Sequence, residues 1–350
     1  MTDRYLVEEF DPQSASDDDF RARWQASVAL SQELEPEEPV TPLDKYRLSM
    51  VDQPSFRRPR HWAVWDGERQ NVIGTASIEL EYVDTNRNLA WFDIGVLADA
   101  RRHGIGTALL KAITDVATGD DRTMLGSGTI EGTAGDEFAT AVGLEKKATE
   151  RKSRLTIPSV DRAMLERWVE RVSERATDYE LVTYDNRCPD ELLDAFVDLK
   201  FVTNTAPRDD LEMEDWKETP EQFREKEEKS RARGDQQWCV IARHKETGEL
   251  AGFTDFFFAP YAKDVAWQGW TAVRETHRNR GLGRWIKAVN CLRLMDERPE
   301  VVAVDTWNAF SNEPMLGINI EMGFELIRGY NEWQAPTDRL ASAAKERLGG

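Results

Sequence analysis

The sequence contains no long apolar run. Nowhere in its 350 residues does a stretch approach the roughly 18 consecutive apolar residues of a membrane span, so no membrane partner is expected. Cysteine is scarce. Cys188, Cys239 and Cys291 are odd in number and far apart, which argues against a disulfide framework and fits a reducing, cytoplasmic setting. His61, His103, His244 and His277 form no pair at metal-ligand spacing, and no cysteine joins them, so no metal site is expected. The acidic, polar residues 1–10 lack the basic and apolar regions of a secretory leader. Positive charge is in deficit, with a net charge of −19. That disfavours nucleic acid and anionic lipid, both of which are held by Lys and Arg on phosphates. The same charge attracts cations, and it serves solubility equally well.

What is present is a globular composition, 40% hydrophobic and 32% charged, in a chain long enough for two cores. An internal repeat divides it. Residues 96–106 and 273–283 share the form Arg-x-x-Gly-x-Gly after a hydrophobic strand, with Arg101, Gly104 and Gly106 in one and Arg278, Gly281 and Gly283 in the other. The offset is 278 − 101 = 177 residues. Give or take one, it also relates Trp62-Ala63-Val64-Trp65 to Trp238-Cys239-Val240-Ile241, and Ile73-Gly74 to Ala251-Gly252. A period this long is not that of a solenoid, so it indicates two copies of one domain.

Each copy reads as an alternation of helices and strands. In the first, a strand at 5–10 precedes a helix over 16–34 with an Asp-rich first turn, ended by Pro36, Pro39 and Pro42. Strands follow at 62–65, 72–80 and 89–96. Ile105, Leu109, Ala112 and Val116 then recur at helical spacing. In the second, Thr219 and Gln222 form a capping box, strands are expected at 237–243, 250–258 and 265–273, and a helix starts near Gly281. Residues 324–334 read as its closing strands, and residues 337–350 as a loose tail helix.

The strand-to-helix loops carry the chemistry. A helix start presents unpaired N–H groups and a partial positive charge, which together suit an anion. Glycines let a pyrophosphate approach the backbone, and Arg278 and Arg280 offer forked donors. A nicotinamide-binding loop is disfavoured, because Arg101 and Arg278 stand where its first glycine belongs. A single copy of this loop is an ordinary turn; two in the same slot are not.

In this element order the chain resembles the GNAT acyltransferases. In the second copy, Trp307-Asn308-Ala309-Phe310-Ser311-Asn312-Glu313-Pro314-Met315, followed by Asn319 and Gly323-Phe324, is similar to the family's second signature. The resemblance spans the chain apart from the linker and tail, and is similar to tandem members such as mycothiol synthase in layout only. It implies acetyl-CoA as cosubstrate, bound between splayed fourth and fifth strands. The backbone of Ala272 and Val273 is then expected to hold the pantetheine arm and thioester. The N–H groups of Arg278, Asn279, Arg280, Gly281, Leu282, Gly283 and Arg284 are expected to hold the pyrophosphate, and Asn312 to touch the pantetheine or acyl end. The matching positions in the first copy are Ile94, Val96, Arg101, Gly104 and Gly106.

Departures from the family pattern are informative. Many members place a Tyr four residues before Gly-Phe, as general acid for the CoA thiolate. Here Asn319 and Ala139 stand there, and neither is an acid of useful pKa. The first copy also has Gly132-Thr133-Ala134-Gly135 in place of the Asn signature and Gly143-Leu144 in place of Gly-Phe, so the second copy is expected to be the catalytic one. Asp255, Asp305, Glu321 and Glu332 are the candidate general bases. The expected catalytic set is Val273, Asn312, Asn319 and Glu332. The acidic run Asp209-Asp210-Leu211-Glu212-Met213-Glu214-Asp215 is expected to border the acceptor side, where it either attracts an ammonium group or is merely solvated. Trp270, Trp307 and Trp333 are expected near the cleft, as substrate wall or as packing.

The expected architecture is α/β (α+β): two tandem folds, each a mixed, mostly antiparallel twisted sheet flanked by helices. The first domain is expected at 1–157, a linker helix at 158–177, the second domain at 178–335 and a tail at 336–350. The expected reaction is direct transfer of acetyl from acetyl-CoA to a primary amine of a small molecule. Since fold does not fix function, the alternative is a non-catalytic acyl-CoA-binding sensor or interaction module.

Overall fold

The computed structural model describes residues 5–349; residues 1–4 of the acidic start and Gly350 of the expected tail lie outside the described residues. In chain order the elements are β1 (Tyr5–Glu9), α1 (Asp17–Leu34), α2 (Leu43–Val51), β2 (Arg60–Asp66), β3 (Val72–Glu79), β4 (Leu89–Val96), α3 (Ile105–Gly119), β5 (Met124–Ile130), α4 (Ala134–Val142) and β6 (Glu145–Thr156). Then come α5 (Arg162–Arg175), β7 (Tyr179–Asp185), α6 (Leu193–Lys200), α7 (Pro220–Arg233), β8 (Gln236–His244), β9 (Leu250–Phe258) and β10 (Val265–Val273). The chain finishes with α8 (Leu282–Glu297), β11 (Ala303–Ala309), α9 (Glu313–Met322), β12 (Glu325–Pro336) and α10 (Thr337–Gly349).

Local chemistry sets many of these boundaries. Ser16 caps α1 by accepting the Asp19 N–H, and Thr219 with Gln222 forms the expected capping box on α7, with Pro220 at its first position. Helix α2 was not anticipated. Pro42, read as a breaker, is instead its N-cap residue, because a proline that cannot continue a helix can still begin one.

Two compact units result, and they trade segments. The first is the chain up to Thr149 with Asp210–Glu214 and everything from Tyr330 onward; the second is Glu150–Asp209 with Asp215–Gly329. In the first unit β1, β2, β3 and β4 are antiparallel neighbours. β4 meets β5 in parallel over Leu89–Trp91 only, and the far half of β12, Tyr330 to Pro336, closes the sheet antiparallel to β5. The second unit repeats the pattern. β7, β8, β9 and β10 are antiparallel, β10 meets β11 in parallel over Val265–Trp267, and the far half of β6, from Glu150, closes the sheet on β11. Each unit therefore takes in a strand segment from the other copy's stretch of sequence, where segments 1–157 and 178–335 were expected.

The cores follow the helical periods. In the first unit Ile105, Leu109, Leu110, Ile113 and Ala117 of α3 pack with Trp62, Ile78 and Leu125. In the second, Ala288, Cys291 and Leu294 of α8 pack with Phe256 and Val304. The tail is not loose. Leu340 and Ala344, one turn apart on α10, are fully buried in the first unit's core, and Thr337 donates to the Arg122 carbonyl at 2.6 Å. Trp333 packs in the same core, its Nε1 donating to Thr129. Leu340→Ala is therefore expected to destabilise the first unit by about 2–5 kcal/mol. Denaturant unfolding checks this; a loss below about 0.5 kcal/mol, the range of surface changes, would mean that α10 does not contribute to that core.

Candidate functional site

The second unit's cleft begins where its parallel ladder stops. Beyond Trp267 and Asp305 the two strands no longer pair, and β10 shifts register against β9 between Gln268 and Thr271. Gly269 and Trp270 form this bulge, which re-aims the strand. Only glycine fits at 269: a Cβ there would run into Asp255 Oδ1 and come within 2.5 Å of the Phe257 ring. The divergence leaves a cavity of about 900 Å³, lined by Thr271, Ala272, Val273, Trp307 and Asn308 and by the start of α8.

Backbone alternation fixes which groups face this cavity. Arg274 N–H donates to the Ala251 carbonyl at 2.8 Å. One residue earlier, Val273 must therefore point its N–H and C=O away from β9, toward the splayed side. Thr271 shares that direction, whereas the Ala272 N–H points back to β9. In the first unit Leu97 N–H donates to Ile73, and the same logic turns Val96 and Ile94 to their cleft.

The loop then winds into α8. Asn279 and Gly281 take left-handed φ values of 64° and 84°, and Arg102 and Gly104 of the first copy take the same values. The repeat is thus one of conformation as well as sequence. No side chain caps α3 or α8, so the first-turn N–H groups and the positive end of the dipole remain available to an anion. The motif arginines brace this geometry. Arg278 Nε donates to the Val273 carbonyl at 3.0 Å and Nη2 to Thr205 at 2.8 Å. Arg101 Nε donates to the Val96 carbonyl at 2.9 Å and Nη2 to Glu33 at 2.7 Å. Both guanidinium groups are engaged in holding the loop to the strand it leaves, a role their spacing did not reveal. Arg280 lies over the Tyr179 ring, and Arg284 pairs with Glu321 at 2.7 Å.

The other expected residues separate into those the cleft gathers and those it does not. Asn312 and Asn319 both line it. Asn312 caps α9, its Oδ1 accepting the Met315 N–H at 3.4 Å. Asn319 Nδ2 donates to Asn308 at 2.7 Å, while its buried Oδ1 has no partner among the described residues. Asp305 is fully buried and held by Arg154 through two bonds of 2.6 and 2.7 Å, with Lys152 Nζ at 3.6 Å; it is tied up as an ion pair. Glu332 belongs to the first unit, opposite Gly128 on β5, and does not line the second unit's cavity. Asp255 lies behind the bulge with Oδ2 accepting from Gln237, and burial pushes its carboxyl up to about 6.

Two cleft residues were missed. Glu150 lines the cavity and sits opposite Ala309 on β11. Burial and the nearby Asp209 charge raise its carboxyl above the ordinary value. It was overlooked because it lies in the first copy's stretch of sequence. Lys287 of α8 also lines the cavity and is buried; aligning the two loops would have placed it on Leu110.

The acidic run divides. Asp209 accepts from Ser311 at 2.6 Å in the second unit, and Asp215 pairs with Arg208. Residues 210–214 are fastened to the first unit: Lys147 reaches Glu212, Gln334 accepts the Glu212 N–H, and Asn86 binds Glu214. Trp270 and Trp307 line the second cleft with exposed faces. The first unit's cleft, about 860 Å³, is lined by Asp93, Ile94, Val96, the start of α3 and Tyr330 of the exchanged strand. The Tyr330 hydroxyl donates to Glu35. There β3 and β4 pair in unbroken register, without the bulge of β10.

Several solved structures share this fold. A tandem GNAT protein from the clavulanic acid biosynthesis pathway, solved without acetyl-CoA, is 23% identical with a TM-score of 0.76, the match covering 95% of this chain and 98% of that one. A GCN5-related N-acetyltransferase from Sphaerobacter thermophilus is 13% identical with a TM-score of 0.65, covering 96% and 97%. A GCN5-related glucosamine N-acetyltransferase region of a fungal multi-domain β-N-acetylglucosaminidase is 12% identical with a TM-score of 0.65, covering 96% of this chain and 38% of that one. At such identities the likeness is one of fold. No curated protein matches the sequence significantly. Among the described residues no helix is long and apolar enough to cross a membrane. The sequence profile of the acetyltransferase (GNAT) family matches residues 24–129 and 204–290, once on each copy and over more than half of the chain. With two such folds, two splayed strand pairs and two glycine-opened helix starts, the chain belongs to the GNAT acetyltransferase family as a tandem member.

Proposed function

We propose that the chain transfers acetyl from acetyl-CoA to a primary amine of a small molecule, in the second unit's cleft. The observation that carries this reading is the bulged, splayed end of β10 opening beside an uncapped glycine helix start. The first unit has the helix start and the splay but no bulge. The Arg278 N–H donates to the Glu275 carbonyl, so the pyrophosphate fits the loop from Asn279 to Arg284, where backbone N–H groups are the donors and Arg278 holds the shape. The orphan Oδ1 of Asn319 is an acceptor in need of a donor, and the pantetheine arm carries amide N–H groups. Val273 N–H, turned to the cleft, suits the developing oxyanion; one such donor is worth about 3 kcal/mol in the transition state.

The acceptor end follows from charge. Glu150 and Asp209 place two carboxyl groups in the second unit close enough for one to raise the pKa of the other, which favours an incoming ammonium group. Trp270 and Trp307 offer apolar faces to the rest of the acceptor. Once the amine is neutral it attacks the thioester carbonyl, and Glu150, directly or through water, takes the proton it sheds. Glu332 has no part in this scheme.

Two measurements test the reading. A Cβ at Gly283 would meet only Ile318 at 3.5 Å and Val273 at 3.9 Å, so Gly283→Val is accommodated by the fold and projects into the cleft. Its CoA dissociation constant is expected to rise at least about tenfold in calorimetry, equivalent to roughly 1.4 kcal/mol. Unchanged affinity at every CoA site, with the fold intact, would remove this loop from pyrophosphate binding. The second concerns pH. Removing the Asp209 charge lowers the Glu150 pKa, so Asp209→Asn is expected to move the acid limb of kcat/KM to lower pH, while Glu150→Gln abolishes that limb and raises the acceptor KM. Acid limbs that coincide in all three proteins would rule out Glu150 as the base.

A further inference from the structure

Helix α8 carries a lysine where its counterpart carries leucine. Lys287 follows Gly283 by one turn, as Leu110 follows Gly106 in α3, and Leu110 is fully buried in an apolar core. Lys287 is itself only 1% exposed, yet it lines the second unit's cleft. Its ammonium lies 5.3 Å from the centre of the Phe324 ring, and among the described residues no carboxylate pairs with it. Burying an unpaired charge is costly, and leucine would fill the position without that cost. Burial pulls the amine down to about 7, so it exchanges a proton near neutrality.

Glu150 and Glu313 line the same cavity, with burial and Asp209 raising the Glu150 carboxyl; the other charged and titratable groups around Lys287 are committed elsewhere or neutral. On α8, the Cys291 thiol one turn on is pushed up to about 12 by burial, and Arg284 pairs with Glu321 of α9. On β11, Asp305 is held by Arg154 and Lys152. His277 binds Tyr179 at 2.6 Å and Glu249 at 3.1 Å, and Arg278 braces Val273. Asn319 of α9 shares the cleft but carries no releasable proton. Asn290, three residues along α8, is fully buried with neither amide atom partnered among the described residues.

We propose that Lys287 is the general acid that protonates the CoA sulfur as the thioester opens, an inference that rests on the acyl-transfer reading above. When the tetrahedral intermediate collapses, the C–S bond breaks and its electron pair stays on sulfur. The Lys287 ammonium gives its proton to that sulfur, leaving free thiol and a neutral lysine. The proton that the acceptor amine sheds to Glu150 passes on to solvent, and the lysine regains its own from solvent, so the net reaction is amine plus thioester to amide plus thiol.

The test uses the full chain and CoA itself. Thiolate ultraviolet absorbance follows the titration of the bound thiol, which is expected about one pH unit lower in Lys287→Arg than in Lys287→Met, because an adjacent cation that stays charged above neutrality favours the thiolate. Turnover with acetyl-CoA is expected to fall about 10²-fold in Lys287→Met, with the acetyl-CoA KM within about twofold of wild type. Lys287→Arg carries the charge at all pH values but no releasable proton; it is expected to turn over slowly despite its lowered thiol pKa, and it serves as the variant should Lys287→Met not fold. Equal kcat in wild type and Lys287→Met, or equal thiol titration in Lys287→Arg and Lys287→Met, overturns the assignment and leaves acyl transfer standing. Wild-type turnover in Lys287→Arg, or acetylated Lys287 in the mass spectrum of turning-over enzyme, overturns it in favour of a charge or a nucleophile. A wild-type chain that binds no CoA overturns both readings.

Discussion

Three residues of parallel ladder, and no more, join β10 to β11, and the chemistry assigned to the second unit depends on that brevity. A longer ladder would satisfy the backbone of Thr271 and Val273 within the sheet and leave nothing to face a ligand. The ladder ends at a bulge that Gly269 permits, with Asp255 and Phe257 pressed against the spot where a side chain would stand. From there the strand swings away, its last carbonyl is caught by Arg278, and the helix starts on a left-handed glycine. Sheet, arginine and glycine therefore define one opening, whose donors belong to the backbone and depend little on side-chain placement.

The first unit shows what remains when one part is withheld. It has the same loop conformation, the same arginine brace and the same short ladder, yet β4 runs in register without a bulge. Its cleft is furnished differently, with Asp93 and the borrowed Tyr330 in place of tryptophans and paired asparagines. The two copies share the loop geometry while their walls differ, which accords with the separation of fold from site.

Much of this was legible in the sequence, and the boundary of legibility is physical. The capping box at Thr219, the periodic face of α3 and the two glycine loops are local patterns, and local patterns are written in adjacent residues. Strand partners are not. Residues 324–334 read as closing strands of the second copy, yet β6 and β12 each pass from one unit to the other partway along, and no residue type marks the crossing. That is why Glu332 was expected in the second copy's cleft and Glu150 was not considered. Lys287 carries no such mark either, since a lysine on a helix is exposed by default and its burial follows from tertiary packing. The role of Arg278 was similarly hidden, since a guanidinium suited to phosphate is equally suited to a carbonyl.

The exchange of edge strands has a consequence for how the chain comes to be folded. The first unit's sheet lacks its last strand, and its core lacks Leu340 and Ala344, until nearly all of the chain has been made. During synthesis β5 waits as an open edge, the kind of surface that pairs with the wrong neighbour. The second unit, by contrast, receives its borrowed strand early, since β6 precedes the rest of it. The unit that begins first is thus the one that finishes last, and cutting the chain between the two copies would strip each half of a strand and yield two incomplete sheets.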